Sequence, residues 1–515
     1  MTVLVVALVA TVAALVVAVV AHPFAATNSP PAVAPPLLTV DIGRVPGVGP
    51  TVAPELFGLS VGLTADTYIK PGDARCRVLP GLDGTLGLIR IGTGTGRVTA
   101  DDYDWASDAN YGDNRAPRGA SFGCHDAYTT GSRSRPAASV LRALGQARAL
   151  GATPVVVLNG ETDDPQAAAR LVRLIAARDG LAFARQVYWE IGSQPLRWRH
   201  FGVPLALRRD DQRFTCSPDE YAALVTAYTA AIAAALGSGT APGGPVTPPR
   251  IIADAYISNA TDGSWTDAVT SVDTQYYPYA SPDRQPGSAS DVASSIETRF
   301  VPEQDALNPQ LSTLYGSLTQ YVGGARLGLF VGEWDLDTNL EADNPRYDSA
   351  AQGVFVARVL LALMANAARP NTSNGLTVPM AAWALPLYAS TSGVSTQAAV
   401  IDGQRTPGLA VFAALHALAG GRILSLAVPR GLGGLDALVA RRADGRTAIV
   451  LVNPNPRATT LPLRLIGLGR AARLPRARIL TFDGASPRGA AATRALGPGP
   501  ATLSVPPLSV VMVTI

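Results

Sequence analysis

Four short segments of the 515-residue chain carry chemically capable residues at the ends of apolar runs. They are Tyr188-Trp-Glu-Ile-Gly-Ser-Gln-Pro195, Leu329-Phe-Val-Gly-Glu-Trp334, Asp273-Thr-Gln-Tyr-Tyr-Pro278 and Ile89-Arg-Ile-Gly92. A carboxyl delivered by an apolar strand can serve as a nucleophile or as a general acid and base, because its surroundings set its proton affinity. Glu190 and Glu333 are the carboxyls of the first two segments, and Glu161 and Asp254 follow further apolar runs. Arg90 and Asn159 can bond hydroxyls or a carboxylate, while Tyr276, Trp334 and Trp383 carry aromatic faces. Each of these side chains also has a plain packing role open to it.

Two glycine patterns carry less. Gly58-Leu-Ser-Val-Gly62 has the spacing of a serine nucleophile elbow, but no helix signal follows it. Gly92-Thr-Gly-Thr-Gly96 lacks the Lys-Ser/Thr of a phosphate loop and the spacing of a dinucleotide fingerprint. With 50 glycines in the chain, coincidence accounts for both. The three cysteines, Cys76, Cys124 and Cys216, are too few and too irregular for a zinc site. An oxidising compartment would permit one bridge, for which Cys76 with Cys124 is the preferred pair. No metal and no cofactor is expected.

The elements that must position these residues follow from periodicity. Short apolar runs alternate with amphipathic stretches from about Leu37, which signals βα units and a parallel sheet. The strand candidates are Phe57–Gly62, Gly87–Ile91, Pro154–Asn159, Val187–Ile191, Arg250–Ala255, Ser271–Tyr276, Leu327–Gly332 and Val378–Leu385. Helices are expected over Ala137–Leu150, Pro165–Arg178, Pro218–Leu236 and Ala350–Ala368. Ser217 with Glu220 makes a capping box for the third of these. Eight such strands suit a (β/α)8 barrel, in which functional residues sit at the C-terminal strand ends. From about Gly421 strands follow one another without helices, giving an antiparallel β-sandwich that the early strand Leu37–Gly43 can complete. The implied division is 1–22, an apolar segment; 23–36, a Pro-rich linker; 37–50, the early strand; 51–420, the barrel; and 421–515, the sandwich.

With its segments in this order, the chain resembles glycoside hydrolase clan A. The likeness is to the retaining families of α-L-arabinofuranosidases, β-xylosidases and β-glucuronidase-like enzymes. Thr39-Val-Asp-Ile, Leu56-Phe-Gly58, Val155-Val-Val-Leu-Asn159 and Val400-Ile-Asp-Gly403 extend it over nearly all of the chain from Leu37 to Ile515. The resemblance implies a (β/α)8 barrel with a sandwich built from both chain ends. It also implies two carboxyls about 5–5.5 Å apart, one a nucleophile and the other first an acid and then a base. Glu333 matches the nucleophile. The acid/base belongs at the end of a Trp-Glu-Ile-Gly-Asn-Glu-Pro stretch, where this chain has Gln194. Ser193 replaces the Asn that would hold a sugar hydroxyl, and Gln275-Tyr276 stands for a His-Tyr pair. An amide has no ionisable proton for a leaving group, and loss of a general acid typically removes about 10²–10⁴ in rate. Glu190 is the first candidate for a substitute acid, with Glu161 and Asp254 behind it. Arg90, Asn159, Tyr276, Trp334 and Trp383 remain as sugar-binding residues, and the ligand expected is a carbohydrate.

Val3 to Ala21 is an apolar run of 19 residues broken only by Thr11, long enough to span a bilayer. The expectation is a retained membrane anchor followed by the spacer Asn28–Pro36, which places the rest outside the cytoplasm, periplasmic or at the cell surface. A cleaved secretory signal is the alternative. Basic residues number 42 against 39 acidic ones, with no basic block, so nucleic acid is not expected as a partner. The primary reading is a tethered, non-hydrolytic relative of the clan, acting as an accessory subunit with membrane-protein partners or as a glycan-binding module. The alternative is an active retaining glycosidase with Glu333 as nucleophile and a displaced acid.

Overall fold

The computed structural model describes residues 37–41, 49–61, 86–92, 103–104, 109–110, 140–161, 163–198, 201–202, 214–237, 248–276, 327–335, 350–368, 377–384, 400–401, 404–427, 434–466, 476–496 and 501–515. The apolar segment at 3–21, the linker, Thr93–Gly96, Cys76 and Cys124 lie outside them. Among the described residues no helix is long and apolar enough to cross a membrane.

Residues from Leu37 onward form one compact unit. Eight strands close into a parallel barrel: β2 (Gly58–Val61), β3 (Leu88–Ile91), β4 (Thr153–Leu158), β5 (Tyr188–Ile191), β6 (Arg250–Asp254), β7 (Ser271–Tyr276), β8 (Gly328–Trp334) and β9 (Thr377–Ala384). They pair in chain order, and β9 returns to β2 through Ala382↔Gly58. Strands of such a barrel are covered on both faces, which is why they read as unbroken apolar runs. The inside is filled by Leu88, Val155, Ile252, Phe330, Met380 and Ala382. These come from five of the eight strands, β3, β4, β6, β8 and β9, so the interior is a packed core.

The helices begin where their caps dictate. In α2 (Pro165–Asp179) Asp164 accepts the Ala167 N–H at 2.7 Å. In α3 (Pro218–Ala235) Ser217 and Glu220 cap each other reciprocally, as their spacing foretold. The remaining long helices are α1 (Val140–Ala149), α4 (Ala350–Ala368) and α5 (Pro407–His416). Periodicity alone does not single out α5, although Thr406 and Pro407 mark its start.

The second layer begins with β1 (Leu38–Asp41), which pairs parallel to β13 (Thr459–Ile466). Together with β16 (Ala501–Val505) these form a three-stranded sheet. The larger sheet runs in the order β10 (Arg422–Ala427), β11 (Asp436–Arg441), β12 (Thr447–Asn453), β17 (Ser509–Thr514), β14 (Arg476–Phe482) and β15 (Ala490–Ala495). One of its faces, with Leu438, Ala440, Val450 and Val510, joins the barrel core. The other, with Ala437, Val439, Ile449, Leu451 and Val511, packs on the small sheet. A sheet covered on both sides explains why all seven residues of β12 are buried. Arg358 of α4 and Asp436 of β11 form a buried ion pair across the barrel–sheet junction, with Nε to Oδ2 at 2.5 Å.

Candidate active site

Arg90, at the end of β3, is fully buried and gathers the polar residues of the barrel mouth. Its Nε donates to Glu190 Oε2 at 2.6 Å and its Nη2 donates to Glu190 Oε1, a two-pronged grip on one carboxylate. Nη1 donates to Glu333 Oε1 at 2.6 Å and to the Gly332 carbonyl at 3.4 Å. Asp273 Oδ2 lies 3.5 Å from Nη2, and the hydroxyls of Ser60 and Ser193 complete the shell at 3.5 and 3.4 Å. Burial alone would lower the proton affinity of Arg90. The charges of Glu190, Asp273 and Glu333 overcome that and hold it well above its ordinary value.

Glu333 is presented by an irregularity in β8. The register to β7 slips between Val331 and Glu333, so Glu333 sits opposite Gln275. Gly332 lies at that slip, its N–H donating to Asp273 Oδ1 at 2.8 Å while its carbonyl accepts from Arg90. A side chain there has no room, because a Cβ would lie 2.2 Å from Asp273 Oδ1. Sequence reasoning missed Asp273 and Gly332, although both stood inside the segments singled out. Burial, with the neighbouring Glu190 charge, raises the Asp273 carboxyl well above the carboxylate range against the pull of Arg90.

The segment around Gln194, where the resemblance leads one to expect an acid/base, is built differently. Gly192, with φ +66°, lets the chain turn under Trp198, whose ring would lie 2.2 Å from any Cβ there. Gln194 then adopts a left-handed conformation, φ 52° and ψ 56°. Its Nε2 donates to Gln275 Oε1 at 2.6 Å, so two neutral amides close on each other beside Glu333. The Gln275 Nε2 has no hydrogen-bond partner among the described residues.

The substitute acids are placed as follows. Glu190 is fully buried, with both oxygens held by Arg90. Burial pushes its carboxyl up, while Arg90 pulls it down. Geometry decides here, because an acid must reach the departing oxygen. Asp254 is half-buried at the end of β6. Its Oδ1 accepts the Tyr256 N–H at 2.8 Å and its Oδ2 the Gln194 N–H at 3.1 Å. Burial raises this carboxyl, and the two backbone donors oppose the rise. Glu161 is buried, and its carbonyl accepts the Gly202 N–H.

Asn159 and Tyr276 are buried at the strand ends, their carbonyls accepting the Tyr228 hydroxyl at 2.7 Å and the Asp335 N–H at 3.2 Å. Trp334 and Trp383 are wholly buried and stack on each other, ring centres 5.4 Å apart. The structure thus places these two indoles in the packing of β8 on β9. Ser60, the serine of the elbow-like motif, is buried within β2 at the rim of the Arg90 shell. Cys216 is a buried free thiol, pushed up to about 12 by burial. Among the described residues no cluster of three His, Cys, Asp or Glu side chains could hold a metal ion.

No protein-family model and no curated protein sequence matches the chain. Solved structures do. The family 51 arabinofuranosidase from Xanthomonas axonopodis pv. citri aligns with a TM-score of 0.60 at 16% identity, covering 90% of this chain and 97% of its own. The α-L-arabinofuranosidase of Thermotoga maritima, solved as an arabinose complex, gives 0.59 at 16%, covering 93% and 99%. A family 44 xyloglucanase from Paenibacillus polymyxa gives 0.55 at 13%, covering 92% and 98%. The fold is that of these glycoside hydrolases. The likeness extends over barrel and sandwich together.

Proposed function

We propose that this protein binds carbohydrate at the mouth of a glycoside-hydrolase barrel and does not hydrolyse sugar-to-sugar bonds. The observation that carries the reading is the Gln194–Gln275 amide pair beside Glu333, where the resemblance leads one to expect a proton donor. The carboxyls Glu190 and Asp254 have both oxygens engaged by other donors. The arabinose bound to the Thermotoga maritima relative supports a carbohydrate as the ligand class. The apolar run at 3–21 supports a chain tethered outside the cytoplasmic membrane, serving there as an accessory subunit or glycan-binding module among membrane proteins.

Calorimetric titration of the full chain with arabinan, xylan and xyloglucan oligosaccharides tests this alongside product analysis of the same mixtures. Saturable binding with intact oligosaccharides is the expected result. Hydrolysis that disappears in Glu333→Ala would overturn it. One observation favours the other reading, an active retaining enzyme with a displaced acid: Asp254 touches the Gln194 backbone and burial raises its proton affinity. That reading requires Asp254→Asn to abolish hydrolysis of alkyl glycosides and, with aryl glycosides that need no acid, to remove the basic limb of the pH profile.

A further inference from the structure

The barrel mouth keeps the parts of one half of a double displacement and has replaced the parts of the other. Arg90 holds one oxygen of Glu333, as it would hold a carboxylate nucleophile. Where the proton should be given and later taken back, there are two amides whose side chains are bonded to each other. An amide neither donates a proton to an alkoxide nor accepts one from water at neutral pH. It does hydrogen-bond an anion, and it lacks the charge with which a carboxylate would repel one. The unpartnered Gln275 Nε2 is a donor of this kind, opposite Glu333 in the strand register.

We infer that this site transfers glycosyl groups between anions, from a donor whose leaving group departs as a stable anion to an acceptor that arrives already deprotonated. The inference rests on the reading that the barrel mouth takes a sugar. In the first step a Glu333 carboxylate oxygen forms a bond to the anomeric carbon. The bond from that carbon to the leaving oxygen breaks, and its electron pair departs on a carboxylate or phosphate. No proton moves. In the second step an anionic acceptor, again a carboxylate or phosphate, bonds to the same carbon and frees the Glu333 carboxylate. Nothing is oxidised or reduced, and the anomeric configuration is retained. Alcohol leaving groups are excluded for want of an acid, and water is a poor acceptor for want of a base.

The test uses the full chain with 2,4-dinitrophenyl and methyl glycosides of L-arabinofuranose, D-xylose and D-glucuronic acid, with azide, formate or inorganic phosphate as acceptor. Dinitrophenolate release is expected from one of these sugars, with the matching methyl glycoside slower by more than the about 10²–10⁴ that a general acid contributes. Azide should raise turnover about tenfold or more and yield a glycosyl azide of retained configuration. Glu333→Gln, confirmed as folded by its thermal transition, should abolish both. In Gln194→Glu the azide acceleration should be lost, because the new carboxylate repels the acceptor and activates water instead. Cleavage of a methyl glycoside at a comparable rate would overturn the inference, as would release that no anion accelerates. Binding of these sugars without dinitrophenolate release would overturn the transfer and leave the binding reading standing. Failure of every sugar to bind would overturn both.

Discussion

β5 and β7 each contribute to the barrel mouth at two levels, and the two levels are built on different physics. At the deeper level stand Glu190 and Asp273, fully buried and arranged around the Arg90 guanidinium. Three residues past the end of β5, and two beyond Asp273 on β7, stand Gln194 and Gln275, half-buried, neutral and bonded to each other. A charge in the deeper level cannot be removed without stranding its partners in a dry interior, so its loss costs stability. The outer residues carry no charge, so their loss strands none. The outer level is also where this chain departs from the pattern it resembles.

The largest effect should come from breaking the deeper level at its hub. Arg90→Met leaves Glu190, Asp273 and Glu333 without their cation and is expected to cost about 3–5 kcal/mol in chemical denaturation. Gly332→Ala should follow at about 1–3 kcal/mol, because its Cβ can be admitted only by moving Asp273 or the slip in β8 that presents Glu333.

Asp273 sharpens the contrast by its charge state. Its raised proton affinity makes it an uncharged partner at low pH. At low pH Asp273→Asn should therefore cost little, while Asp273→Ala leaves the Gly332 N–H unpaired and should cost about 1–3 kcal/mol. The pH dependence has a definite sign. Above about pH 4 the unfolded carboxyl has released a proton that the native one still holds. The native state then binds more protons, so stability falls as pH rises toward the raised value, and Asp273→Asn should remove that fall.

The smallest effect belongs to the outer level. Gln194→Gly relieves a left-handed backbone worth about 1 kcal/mol and loses an amide hydrogen bond of about the same value. A loss beyond about 1 kcal/mol would show that the outer level does help to hold the fold.

The barrel strands could be read from the sequence because Val155–Leu158 or Leu329–Val331 are apolar without a break, the mark of burial on both faces. The strand Ala490–Ala495 went unread. Its residues are exposed throughout and rich in alanine, so it has no alternation, and Thr493 alone is β-branched. At the site, Arg90, Glu190, Gln194 and Glu333 were visible one at a time as polar residues closing apolar runs. Their pairings were not, since Arg90 meets residues 100 and 243 positions away and barrel closure alone brings them together. The roles of Asp273 and Gly332 depend on a one-residue slip between β7 and β8, which no residue spacing encodes. Trp334 and Trp383 were legible as aromatics at strand ends, but their exposure is decided by neighbours such as Phe355 and Phe412.

The stacked indoles of Trp334 and Trp383 give the molecule an optical property of its own. Their rings lie within 8° of parallel and belong to directly paired residues of β8 and β9. Transition dipoles at that spacing couple, so the pair should contribute a split circular dichroism band that neither indole would show alone. Any event that parts these two strands would erase the band, even while the remaining tryptophans keep their surroundings. The barrel therefore carries a spectroscopic gauge of its own closure, readable without a label.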